Sequence, residues 1–202
     1  RFFEKHLLPY VTTWEVINGI TPEKTEKLEV GGKWGKLLPS IPEGENYLWH
    51  TENKGGLPLF GWRTRYWSFL LKLAKNRPSW TIQAQPGSAI GPFHWENRKL
   101  SWREMAAIQT FPETFTIEGP RVEIQRQIGN AVPSLLAEIL GRSLREQLFS
   151  DSFEEPLLLA VRRAEKIPPP ADIKPVPAEY LEFIGRHEPH PGTGKGRSYQ
   201  MA

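Results

Sequence analysis

The segment around Pro133 constrains the fold of this chain most. Val132 precedes a proline and is biased towards an extended backbone, while Pro133 suits the first position of a helix. Leu135, Leu136, Ile139, Leu140, Leu144 and Leu148 then fall on one apolar face of a helix running to about Phe149. Such a helix is built to pack against something. Just before it, RQIGNAVPSLL (126–136) sets the small pair Gly129 and Ala131 among the polar Arg126, Gln127 and Asn130. That pattern reads as a Gly-Asn-Ala turn at the helix mouth.

A second helix is marked by a capping box. In LSWREMAAIQTFP, Ser101 is followed three residues later by Glu104, and each side chain can satisfy an orphan N–H of the first turn. This helix, near 102–110, should end before Pro112. Elsewhere the pattern is weaker. Residues 1–60 are rich in Gly and Pro and predict short strands or helical turns joined by irregular loops. RYWSFLLKLAK (65–75) has helix-like spacing at Trp67, Leu70, Leu71 and Ala74, and SWTIQAQ (79–85) alternates like a strand. Beyond Ser150 the chain turns Pro-rich and should be extended, ending in a Gly-rich tail that wraps or dangles.

With 202 residues, 39% of them hydrophobic and 24% charged, the composition is that of a globular protein large enough for one good core. The charge is unevenly placed. Between Lys54 and Arg103 nine basic residues face a single acid, Glu96, and five of the eight tryptophans fall in the same stretch. Cations for phosphates and flat faces for stacking are what a nucleic-acid surface needs, although a solvated basic face over a Trp-rich core has the same composition.

There is no cysteine, which removes disulfides, thiolate metal sites and thiol nucleophiles and fits a reducing, cytoplasmic setting. His187 and His190 lie close in the tail, and no metal is expected there. No apolar run is long enough for a bilayer, so no membrane partner is expected. The Arg1 start, without a leader-like segment, predicts a chain that begins inside a longer one. GTGKGR lacks the spacing and flanking elements of a phosphate loop.

RKLSWREMAAIQTFPETFTI (98–117) and RQIGNAVPSLLAEIL (126–140) together resemble the ninth and tenth conserved motifs of DNA cytosine-5 methyltransferases, in the family's order and spacing. PSWTIQAQPGSAIGPFHWENR resembles the end of the family's target-recognition domain, with Thr81-Ile82 in a DNA-facing loop. The resemblance is tight over 78–148, loose over 1–77 and absent from 151–202. It implies an α+β architecture, with an irregular β-rich target-recognition domain followed by two helices that would pack back onto a missing Rossmann-like catalytic domain. It divides the chain into a connector (1–19), the recognition domain (20–97), the motif helices (98–149) and a C-terminal extension (150–202).

The implied partners are double-stranded DNA, an N-terminal catalytic domain in cis or as a separate chain, and S-adenosylmethionine. Asn130, Ala131 and Val132 would form one wall of the cofactor pocket, where Gly129 permits close backbone approach and a helix N-terminus with free N–H groups suits a carboxylate. The plainer alternative is that Asn130 caps the helix and Gly129 turns the chain. Arg98 would fix the recognition domain against the rest, with Gln109, Phe111 and Pro112 in a similar organising role. For DNA, Arg63 and Arg65 could bind phosphates or guanine edges. Gln83 and Gln85 could read adenine or simply alternate outward. Thr81 would contact phosphate near the flipped nucleotide.

The family's chemistry needs a Pro-Cys thiolate to attack C6 of a cytosine swung out of the duplex, and a Glu-Asn-Val glutamate at N3. Neither motif occurs here, nor does a Gly-rich strand-to-helix turn for the bulk of the cofactor. The chain therefore reads as the C-terminal, DNA-recognising part of a restriction-modification methyltransferase, inactive alone and with no catalytic residue of its own. It would be a piece of a longer enzyme or the smaller subunit of a split one. A non-catalytic DNA-binding module and a generic interaction domain are the alternatives.

Overall fold

The computed structural model describes residues 9–61, 66–149, 155–159, 163–164 and 166–186. Two compact units are each assembled from distant pieces of chain: Arg1–Leu28, Ala74–Pro86 and Leu100–Pro169 form the first, and Glu29–Leu73, Gly87–Lys99 and Pro170–Ala202 the second.

The first unit holds the four α-helices found among the described residues. Helix α1 (Thr13–Ile17) opens on a Thr12/Glu15 capping box. The Thr13 and Trp14 N–H groups reach the Arg77 and Lys75 carbonyls at 2.8 and 3.1 Å, tying α1 to the 74–86 segment. Helix α2 (Trp102–Ile108) starts on the expected Ser101/Glu104 box, with both hydrogen bonds formed. Helix α3 (Arg121–Asn130) buries Ile124 and Ile128 one turn apart, and α4 covers Ser134–Phe149. Glu26, nearly buried, accepts from the Trp102 N–H at 3.0 Å and the Arg121 guanidinium at 2.6 Å. Arg121 also donates to the Leu100 carbonyl, so one ion pair binds the starts of α2 and α3 to the N-terminal segment.

The second unit is built without a regular strand among its described residues. Three short 3-10 helices (Gly35–Ser40, Tyr47–His50 and Ala178–Phe183) and two isolated bridges, Phe69 with Ile90 and Lys72 with Phe93, organise it. Its core gathers Leu37, Leu38, Ile41, Tyr47, Leu70 and Phe93. His50 is buried between the Ser40 hydroxyl and the Leu57 carbonyl, and burial pushes its pKa down, keeping the ring neutral.

The C-terminal extension belongs to this unit from Pro170 onward. Lys174 N–H donates to the Pro39 carbonyl at 3.1 Å, and Gly185 N–H to the Pro58 carbonyl at 3.0 Å. The buried Tyr180 hydroxyl donates to the Lys33 carbonyl at 2.8 Å while its ring stacks on Trp34. Residues 170–186 are thus a strap over the core. His187 and His190 lie outside the described residues.

Three expectations need correction. The helix near 65–75 is not formed over residues 66–75, which run as turns and bridges with Leu70 in the left-handed region at φ 52°. Every residue from Leu70 to Lys75 is buried, so the segment has no solvent face and its apparent period carried no information. SWTIQAQ is irregular, because Gln83 gives its carbonyl to the Gln125 side chain instead of to a neighbouring strand. The Gly-Asn-Ala turn is the end of a helix: Gly129 and Asn130 close α3, and only Ala131–Pro133 break the chain before α4.

Candidate DNA and cofactor site

The two motif segments meet in the first unit. After α2, Thr110 takes a left-handed conformation (φ 57°), unusual for a β-branched residue. That bend presents the Gln109 carbonyl and the Thr110 hydroxyl to the start of α4, where they accept from the Ser134 and Leu135 N–H groups at 3.1 and 2.8 Å. The Gln109 amide donates to the Ile128 carbonyl near the end of α3 at 3.0 Å. Gln109 therefore ties the end of α2 to the end of α3 and the start of α4. The expected free helix N-terminus is corrected by the same bonds: two of the first N–H groups of α4 are already taken by protein.

Gly129 does permit a close approach, but of the protein's own chain. A Cβ there would lie 2.5 Å from the Cα and N of Ala84. The loop carrying Thr81 is therefore laid directly on α3, fixed by backbone contact and by the Gln125 bond to Gln83.

Around this junction is an open cavity of about 480 Å³. Thr12, Thr13 and Val16 of the α1 region form one side, the Ser79–Ile82 loop a second, and Gln109, Thr110, Gly129, Ala131 and Leu135 the third. Its hydroxyls are largely committed: Thr13 donates to the Arg77 carbonyl and Thr12 to Glu15. The Glu15 carboxyl is held below its ordinary pKa, chiefly by the Thr12 N–H and against the effect of burial. Trp80 stands 54% exposed on the rim. The arrangement offers an apolar wall, one flat aromatic face and neutral hydrogen-bonding groups, and among the described residues no side chain placed for acid–base or nucleophilic work.

The expected site residues separate. Thr81 and Ala131 line the same cavity, whereas Asn130 and Val132 are exposed and outside its lining. Gln83 is half-buried in the same unit. Arg98 belongs to the second unit, where it pairs with Glu96 at 3.0 Å and donates to the Lys99 carbonyl, bracing its own turn. Arg63 and Arg65 lie outside the described residues. Sequence reasoning missed Thr13, Trp80 and Thr110. A threonine's left-handed bend leaves no signature in a single sequence, and Trp80 was visible only as one of many aromatics.

Among the described residues no helix is long and apolar enough to cross a membrane, and no cluster of metal-ligating side chains occurs. No solved structure matches the chain. Among curated proteins it is 44% identical over 160 residues to the type II methyltransferase M.SacI of Streptomyces achromogenes, covering 73% of this chain and 40% of that protein. It is 34% identical over 157 residues to M.NgoFVII of Neisseria gonorrhoeae, again 40% of that protein, and 39% identical over 119 residues to the DNA (cytosine-5-)-methyltransferase M.ApeKI of Aeropyrum pernix, 23% of its length. The chain thus spans well under half of the relatives it matches. The profile of C-5 cytosine-specific DNA methylases matches residues 38–146, more than half of the sequence, and the chain belongs to that family.

Proposed function

We propose that this chain is the DNA-recognising and cofactor-closing part of a DNA (cytosine-5-)-methyltransferase of the restriction-modification type, acting on C5 of a flipped cytosine in double-stranded DNA. The observation that carries the reading is the locking of the two motif segments, Gln109-Thr110 against Ser134-Leu135, around one cavity that also receives the Thr81 loop. The absence of any cysteine means that the nucleophile must come from elsewhere, in an N-terminal catalytic domain with the Rossmann-like fold.

S-adenosylmethionine, which supplies the methyl group when bound, fits here only against one wall. Ala131 and Gly129 are small enough to leave room and Thr110 and Gln109 are polar, but among the described residues the lining includes no carboxylate for ribose hydroxyls. The α4 face supports the same division of labour. No residue of this 16-residue helix is buried, and Leu136, Leu140, Leu144 and Leu148 are between 46% and 70% exposed, a stripe suited to the catalytic domain.

In the proposed complex, Thr81 contacts a phosphate near the flipped nucleotide and Arg63 and Arg65 supply phosphate or guanine contacts. The test is DNA affinity of the full-length enzyme at two salt concentrations. A base-reading arginine replaced by Ala costs roughly 1–3 kcal/mol, whereas a phosphate contact lowers the salt slope by about one unit. Unchanged affinity and slope in both variants would remove these arginines, and absence of methyl transfer to cytosine C5 by the full-length enzyme would end the reading.

A further inference from the structure

The second unit has a cavity of its own, about 570 Å³, which the proposed function leaves unused. Among the described residues six aromatic rings wall it: Trp34, Tyr47, Phe60, Tyr66, Phe69 and Phe183. Tyr47 belongs to the core, and Trp34, Phe60, Phe69 and Phe183 pack against it while only partly buried. Phe60 stands edge-on to Trp34, Tyr47 and Phe69 at centroid separations of 4.7, 5.7 and 5.8 Å, while Tyr66 at the mouth is 58% exposed. The C-terminal strap completes the wall with Phe183 and Arg186. The Arg186 side chain is 70% exposed, with its partner Glu182 only loosely paired at 3.8 Å.

Flat apolar rings accept the π-face of any base, and cations beside them accept its phosphate. Resting on the DNA-recognising reading above, we propose that this pocket takes one unstacked nucleobase of the bound duplex, other than the cytosine that is methylated. Tyr66 stacks on that base and Arg186 lies against its backbone. The strap, outside the family-matched residues 38–146, is then a part of recognition and not an appendage.

The test uses the full-length enzyme and a set of duplexes made abasic at one position at a time. Tyr66→Ala should weaken binding to intact duplex roughly 5- to 150-fold, the range expected for one lost base–aromatic stack. That loss should vanish on the duplex lacking the base at one particular position. Tyr66→Phe, which keeps the ring, should bind like the wild type, and Arg186→Gln should lower the salt slope by about one unit. A Tyr66→Ala loss that is the same at every abasic position, or no loss at all, overturns the proposal while leaving the methyltransferase reading intact. A wild-type enzyme that neither binds nor methylates DNA overturns both.

Discussion

The Thr110 hydroxyl accepts the Leu135 N–H at 2.8 Å, so a residue just past the end of α2 caps the start of α4. Thr110→Val removes the acceptor and keeps the shape. It should cost about 0.5–2 kcal/mol in urea unfolding, the usual range for a lost helix cap, and Thr110→Ser should recover most of it. Equal stability of the Val variant would show that water or another group can take over the cap.

Gly129→Ala separates helix propensity from packing. At a free helical site the change stabilises by up to about 1 kcal/mol. Here the added methyl meets the Ala84 backbone at 2.5 Å, and backbone cannot swing aside. The expected outcome is a loss of about 1–3 kcal/mol, with faster amide exchange in the 79–85 loop. A stabilised variant would mean that the loop does not rest on α3.

Lys72 makes the stability of the second unit depend on pH. Its amine is buried and donates to the Ile41 carbonyl, and burial lowers its pKa from 10.5 to about 8, with Glu43 opposing the shift. Below about 8 the amine is charged in both states and the full desolvation cost is present. Between about 8 and 10.5 the folded chain has released a proton that the unfolded chain still holds, so stability rises with pH through that window. Lys72→Met should abolish that rise, as read from unfolding midpoints on either side of the window. An identical rise in the variant would assign it to another group.

The exposed stripe of α4 should make the isolated chain sticky. Leu140→Lys with Leu144→Lys should reduce dye binding and self-association of this chain, yet weaken its pairing with a catalytic half. Each leucine fully buried there is worth about 1.5–3 kcal/mol. Unimpaired pairing would place the partner surface elsewhere.

What could be read beforehand was local. The Ser101/Glu104 box and the Leu135–Leu148 stripe depend on neighbours within two turns, and both elements formed where the pattern put them. Leu70–Lys75 misled because burial on all sides erases the period, and Lys72 inside that run satisfies itself on a carbonyl 31 residues away. Gly129 was singled out for close approach, but its partner, Ala84, comes from a segment 45 residues upstream. The strap was least legible, since Tyr180 finds Lys33 and Trp34 across 147 and 146 positions. The cavity followed the same rule: Ala131 and Thr81 were visible as residues, and their meeting was not.

The central claim is that this chain supplies recognition to a methyltransferase whose nucleophile lies outside it. Co-expression with an N-terminal half that carries the Pro-Cys motif, followed by transfer of labelled methyl groups to duplex DNA, tests it most directly. Methylation of cytosine at C5 only when both halves are present is the predicted result. Salt-sensitive DNA binding without methylation under any pairing would contradict it and leave a DNA-binding module.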